Sequence, residues 1–120
     1  MDELVARLVA KLGVDQATAE KAVGIILDFL QKEGPAEQVQ ALIGRLPGAE
    51  ALIKAQQNDG GGGFGMGGIM GAGTKMMAAG LSMGQVQAVT KETIAFAREK
   101  AGEDAIGEIV GAIPGLSQFV

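Results

Sequence analysis

Residues 59–84 read Asp-Gly-Gly-Gly-Gly-Phe-Gly-Met-Gly-Gly-Ile-Met-Gly-Ala-Gly-Thr-Lys-Met-Met-Ala-Ala-Gly-Leu-Ser-Met-Gly, and they hold 11 of the chain's 20 glycines and five of its six methionines. Taken as a linker, this stretch divides the chain into two domains. Taken as a joint inside one bundle, it leaves a single domain of 120 residues. Composition favours the joint, because flexible linkers carry little Met, Ile or Phe, whereas Phe64, Met66, Ile69, Met70, Met76, Met77 and Met83 gather here. Within it, Ile69, Met70, Met76 and Met77 recur at roughly helical spacing and predict a weak helix from Ile69 to Ala79. Gly71 and Gly73 each cost that helix roughly 1 kcal/mol against alanine, so it depends on tertiary support.

On the N-terminal side, Leu4, Val5, Leu8, Val9 and Leu12 fall at helical spacing, with Asp2 and Glu3 in the first turn, where the helix dipole favours acid. Gly13 is placed to end that helix, and Asp15 to cap a second, with Val14 outside it as a staple against Ala19. The second helix carries Ala19, Ala22, Val23, Ile26, Leu27 and Leu30, widened by Ile25 and Phe29. So broad an apolar face predicts a central position. Gly34-Pro35 stops it and starts a third helix with Val39, Leu42, Ile43 and Leu46 inward. Pro47-Gly48 closes that one, and a short fourth runs from Ala49 to about Gln57.

On the C-terminal side, Ser82 is the cap of a long helix to Lys100, with Val86, Val89, Ile94 and Ala97 inward. Glu103 or Asp104 opens a last helix bearing Ile106, Ile109, Val110 and Ile113, ended by Pro114-Gly115. Leu116, Phe119 and Val120 then form an apolar tail.

A shift of 67 residues superposes the two sides without a gap. Gly13, Phe29, Gly44, Pro47 and Gly48 fall on Gly80, Phe96, Gly111, Pro114 and Gly115, and Asp15 falls on Ser82, cap on cap. The apolar Val14, Leu27, Val39, Leu42, Ile43, Leu46, Leu52 and Ile53 fall on the apolar Leu81, Ile94, Ile106, Ile109, Val110, Ile113, Phe119 and Val120. Agreement of turn and cap residues is agreement of structural punctuation, which predicts an internal duplication. The expected architecture is therefore an all-α bundle of six or seven short helices in one domain, 1–120. Half-repeats 1–58 and 69–120 meet at a Gly-rich joint, 59–68.

Composition narrows the function. The chain has no Cys and no His, which removes disulfides and most metal and nucleophile-plus-base arrangements. Its formal net charge is -4, spread over both halves with no basic patch, so little attracts a phosphate backbone. The start Met1-Asp2-Glu3-Leu4 carries acid where a secretory leader carries base, and the expectation is a cytoplasmic protein.

Three resemblances start from the N-terminal half, and the third extends over most of the chain. Val9 to Thr18 resembles the turn of helix-turn-helix repressors, with Gln16, Thr18, Glu20 and Lys21 as base readers. One acid and one base there, followed by a strongly apolar stripe, argue for a plain helical corner. Residues 3–33, through Ala19-Glu20-Lys21-Ala22-Val23, are similar to the helical dimerisation half of the histone-like HU proteins, which implies helix pairing. The strands and basic arms with which those proteins grip the minor groove have no counterpart in the acidic Pro35-Ala36-Glu37-Gln38-Val39-Gln40. Lys11-Leu12-Gly13-Val14-Asp15 with Thr18-Ala19, Leu46-Pro47-Gly48, and Gly107 to Val120 resemble small helical bacterial proteins grouped as a domain of unknown function. That resemblance implies an all-helical fold and no chemistry.

No catalytic set emerges and no cofactor is expected. Gly60 to Gly65 lacks the preceding strand and the Gly-Lys-Ser/Thr ending of a phosphate loop. The methionine thioethers would suit Cu(I), but methionine at helical spacing serves packing and adaptable contact more often. Gly63, Gly67 and Gly71, and Gly80 with Gly84, lie four apart, a spacing that lets backbones approach closely. The expected function is a non-enzymatic assembly or interaction module, self-associating or binding a protein partner through Phe64, Met66, Ile69, Met70, Met76, Met77 and Met83. The alternative is a peripheral membrane protein using residues 60–84, and the third is helix-turn-helix or HU-like DNA binding.

Overall fold

A computed structural model of the chain describes residues 2–58, 68–113 and 116, giving the backbone alone for 2, 56–58 and 68–70. The described residues form seven helices: α1 Asp2–Leu12, α2 Gln16–Glu33, α3 Ala36–Arg45, α4 Ala49–Asn58, α5 Gly68–Ala78, α6 Met83–Ala101 and α7 Glu103–Ala112. The all-α bundle expected from periodicity is the observed fold. The Pro114-Gly115 stop and the tail residues Phe119 and Val120 lie outside the described residues, whereas Leu116 is buried in the core.

Helix α2 is the axis of the bundle. Every residue from Ala22 to Leu30 is buried, so this helix shows no solvent face over two and a half turns. It packs against α1, α3, α4, α5 and α6. Its one buried charge, Asp28, is met by Lys32 Nζ at 3.0 Å one turn later, and the exposed lysine head brings compensation to a group that would otherwise be costly to bury.

The turn chemistry follows the sequence. Gly13 ends α1 at φ 69°, the left-handed conformation that glycine adopts without a Cβ penalty. Asp15 occupies the N-cap of α2 with extended backbone, yet its side chain makes no capping bond. Gly102, at φ 94°, is at once the C-cap of α6 and the N-cap of α7, a hinge point not anticipated from the charged pair that follows it.

The offset of 67 carries α2 onto α6 to within one residue and α3 onto α7 end for end. It also carries hydrogen bonds onto hydrogen bonds. Ala19 N–H donates to Asp15 O and Val86 to Ser82 O; Leu46 donates to Ile43 O and Ile113 to Val110 O; Ala49 donates to Leu46 O and Leu116 to Ile113 O. Packing repeats the pattern: α1 lies on α2 and α6, while α5 lies on α6 and α2. The correspondence loosens on one face, where Gly24, Ile25 and Asp28 are buried but Lys91, Glu92 and Ala95 are not. On that side α2 is covered by further helix, and α6 carries ion pairs instead.

Candidate interaction surface

The α5–α6 corner is built from two interlocking motifs. Leu81 N–H donates to Met76 O and Gly80 N–H to Met77 O, the two bonds of a Schellman C-cap, with Gly80 at φ 109° in the position that requires glycine. Two residues on, Ser82 opens α6 with a capping box: its Oγ accepts from Gln85 N–H at 3.3 Å, and its own N–H donates to Gln85 Oε1 at 2.9 Å. Leu81 and Val86, flanking that cap at the staple positions, are both buried. Gln85 does a third job: its Nε2 donates to Leu12 O at 3.3 Å, satisfying a carbonyl left over at the end of α1. Replacing Ser82 by alanine should lower stability by about 1 kcal/mol, seen as a Tm about 4 °C lower in a thermal melt.

On this fixed corner stand Met77 and Met83, 41% and 56% exposed, the two large hydrophobic residues that are exposed among the described ones. The seven residues expected to form one surface therefore divide. Met76 is only 2% exposed and belongs to the core with Leu81, because it supplies the third-from-last position of the Schellman motif, which packs inward. That corrects its assignment as a surface residue. Ile69 and Met70 lie in α5, which is described there by backbone alone, and Phe64 and Met66 lie outside the described residues. Gly71 and Ala72 are buried where α5 packs on α2 and α6, so this glycine of the small-residue series is used inside the molecule. Gly84 sits in the open, and a Cβ there would meet nothing.

Away from the corner, α1 and α6 are joined by charge. Arg7 binds both carboxylate oxygens of Glu99, at 2.9 and 3.2 Å, and Lys11 Nζ meets Glu92 at 2.7 Å. The hydrogen bonds that Arg7 donates to Glu99 hold the Glu99 carboxyl below its ordinary pKa, and the same bonds raise that of Arg7. Arg7 and Lys100 also lie 5.5 and 5.4 Å from the centre of the Phe96 ring, which is buried beneath them. Neither ion pair was visible in the sequence, since their members lie 92 and 81 positions apart.

Among the described residues the surface is grooved in at least two places. One, of about 590 Å³, is lined by Glu3, Glu20, Leu52 and Lys100 over Val5 and Phe96. Another, of about 300 Å³, is lined by Gln31, Gln40, Ile43, Ile53 and Lys54. Among the described residues no hydroxyl lines either groove, and no three acidic, His or Cys side chains come together as metal ligands. Gln16 and Glu20, two of the four would-be base readers, bond to each other at 3.3 Å. No helix among the described residues is long and apolar enough to cross a membrane. Compared with family models, curated proteins and solved structures, the chain matches none.

Proposed function

We propose that this chain is a non-enzymatic helical module that associates with a second copy of itself through the α5–α6 corner, with Met77 and Met83 as the contact residues. One observation carries the reading: both exposed large hydrophobic residues among those described are methionines on the same corner. Capping at both helix ends fixes the backbone beneath them, so little ordering entropy opposes contact. Methionine is suited to such a role, being unbranched, polarisable and able to fit an irregular partner.

The test is mass as a function of concentration by sedimentation. The native chain should gain mass with concentration. The double variant Met77→Gln, Met83→Gln should associate at least about tenfold more weakly, a loss of about 1.4 kcal/mol. Its melting temperature should stay unchanged, because exposed side chains contribute little to folding. A native chain that remains monomeric at all concentrations, with or without lipid vesicles, overturns the reading. Flotation of the chain with vesicles, abolished in the double variant, would replace it with the membrane-surface alternative.

A further inference from the structure

Sulfur is confined to one residue type in this chain, which has six methionines and no cysteine. A thioether is soft, polarisable and open to two-electron oxidation, and without a thiol in the molecule no faster-reacting sulfur competes with it for an oxidant. The described methionine side chains differ sharply in access. Met76 is buried in the core, whereas Met77 beside it and Met83 are exposed. Their surroundings widen that difference. The neighbouring exposed residues Ala78, Gly80, Ser82 and Gly84 are all small, and a Cβ built at Gly80 or Gly84 would meet nothing within 4 Å.

The apolar character of the corner therefore rests on oxidisable groups. An exposed patch of Leu, Ile or Val would be inert to peroxide, but here both exposed large hydrophobic residues among those described are thioethers. The bonds that hold the backbone beneath them come from other groups. Leu81 and Gly80 donate their N–H to the carbonyls of Met76 and Met77, and Ser82 and Gln85 cap each other. No methionine sulfur takes part in these bonds, so a change at sulfur leaves that frame in place.

We propose that Met77 and Met83 form a peroxide-modification site, at which oxidation turns the α5–α6 corner from apolar to polar while the fold stays intact. The oxidant is a hydroperoxide, of which hydrogen peroxide is the simplest. A sulfur lone pair attacks one peroxide oxygen, the S–O bond forms as the O–O bond breaks, and the proton on the transferred oxygen passes to the departing hydroxide. Sulfoxide and water result, the sulfur giving up the two electrons that reduce the peroxide. The sulfoxide is polar, and methionine sulfoxide reductases reverse it, taking two electrons from a pair of thiols and releasing water. At Met76 the same oxygen would lie in the core, where a polar atom without a partner is costly, and the fold withholds that sulfur from solvent. The oxidation does not depend on what the corner binds.

The test treats the full-length chain with limiting hydrogen peroxide and follows each methionine by tandem mass spectrometry of its peptides. Met77 and Met83 should gain oxygen at least about tenfold faster than Met76, and the three rates should converge in denaturing urea, where the fold no longer shields Met76. Retention on a hydrophobic-interaction resin should drop on oxidation and return after treatment with a methionine sulfoxide reductase and a dithiol. The double variant Met77→Gln, Met83→Gln, treated alike, should change in retention far less, which sets aside the other methionines. The melting temperature of the oxidised native chain should fall by no more than about 4 °C beyond any change in that variant. Oxidation of Met76 at a rate comparable to Met77 and Met83, a larger fall in melting temperature, or an equal retention change in the double variant overturns the assignment. None of these readouts uses association, so a chain that is monomeric at every concentration counts against the self-association reading alone.

Discussion

Leu27→Ala is expected to cost about 3–4 kcal/mol of folding stability, a large share of the roughly 5–15 kcal/mol that a domain possesses. The argument rests on where Leu27 sits. It is fully buried in the middle of α2, and α2 is surrounded by five other helices. The cost of a leucine deletion grows with the cavity that remains, and a helix walled in on all sides has no loose neighbour to collapse into the gap. Urea unfolding monitored by circular dichroism should show a lower midpoint with an unchanged slope. Ile94, its equivalent at the offset of 67 and equally buried, should behave alike when truncated. An exposed α6 position such as Gln87 should change by less than about 0.5 kcal/mol. A Leu27→Ala loss under about 1.5 kcal/mol would contradict α2 as the axis of the core.

Gly34→Ala should be the second largest effect, and its sign is the point at issue. Gly34 has φ -91°, a conformation open to any residue, so on backbone grounds alanine would stabilise by about 0.4–1 kcal/mol through the unfolded chain. Space decides otherwise. A Cβ built there lies 2.7 Å from Leu30 O, 3.0 Å from Val39 Cγ2 and 3.4 Å from Ile113 Cδ1. Leu30 O is backbone and also accepts the Gly34 N–H at 2.8 Å, so it cannot withdraw without loosening the end of α2. The net expectation is a loss of about 2 kcal/mol, within the range for overpacking. A stabilised variant in the same urea titration would show that the α2–α3 turn yields more readily than this geometry allows.

Much of the fold was legible because its punctuation is chemical. Gly13, Gly80 and Ser82 announce helix ends by what only their side chains, or the lack of one, permit. Gly34-Pro35 and Pro47-Gly48 mark turns on the same terms. The breadth of the apolar face on residues 19–30 told that α2 is central, since a helix apolar all round must be covered all round. What sequence reading missed is long-range. Phe96, Thr90 and Thr93 are buried beside the expected Val86, Val89, Ile94 and Ala97, because α6 meets α1, α2, α3, α5 and α7, a wider contact than one apolar stripe suggests. Thr93 Oγ1 is left without a hydrogen-bond partner there, a polar atom no periodicity would place in a core. Of the candidate surface, Met77 and Met83 were readable as apolar residues beside a turn. Met76 was misassigned because a one-residue difference in helix phase separates it from Met77, and only the Schellman bonds fix that phase.

The bond from Gln85 to Leu12 O spans 73 positions, and α2 likewise depends on α5 and α6 for cover. This imposes an order on biosynthesis. Helix α2 is complete at Glu33, but its last major partner is complete only at Ala101. At translation rates of about 5–20 residues per second, the buried face of α2 waits roughly 3–14 s for that partner. The N-terminal half thus emerges as an unfinished core, with its most apolar helix incompletely covered until α6 has been made.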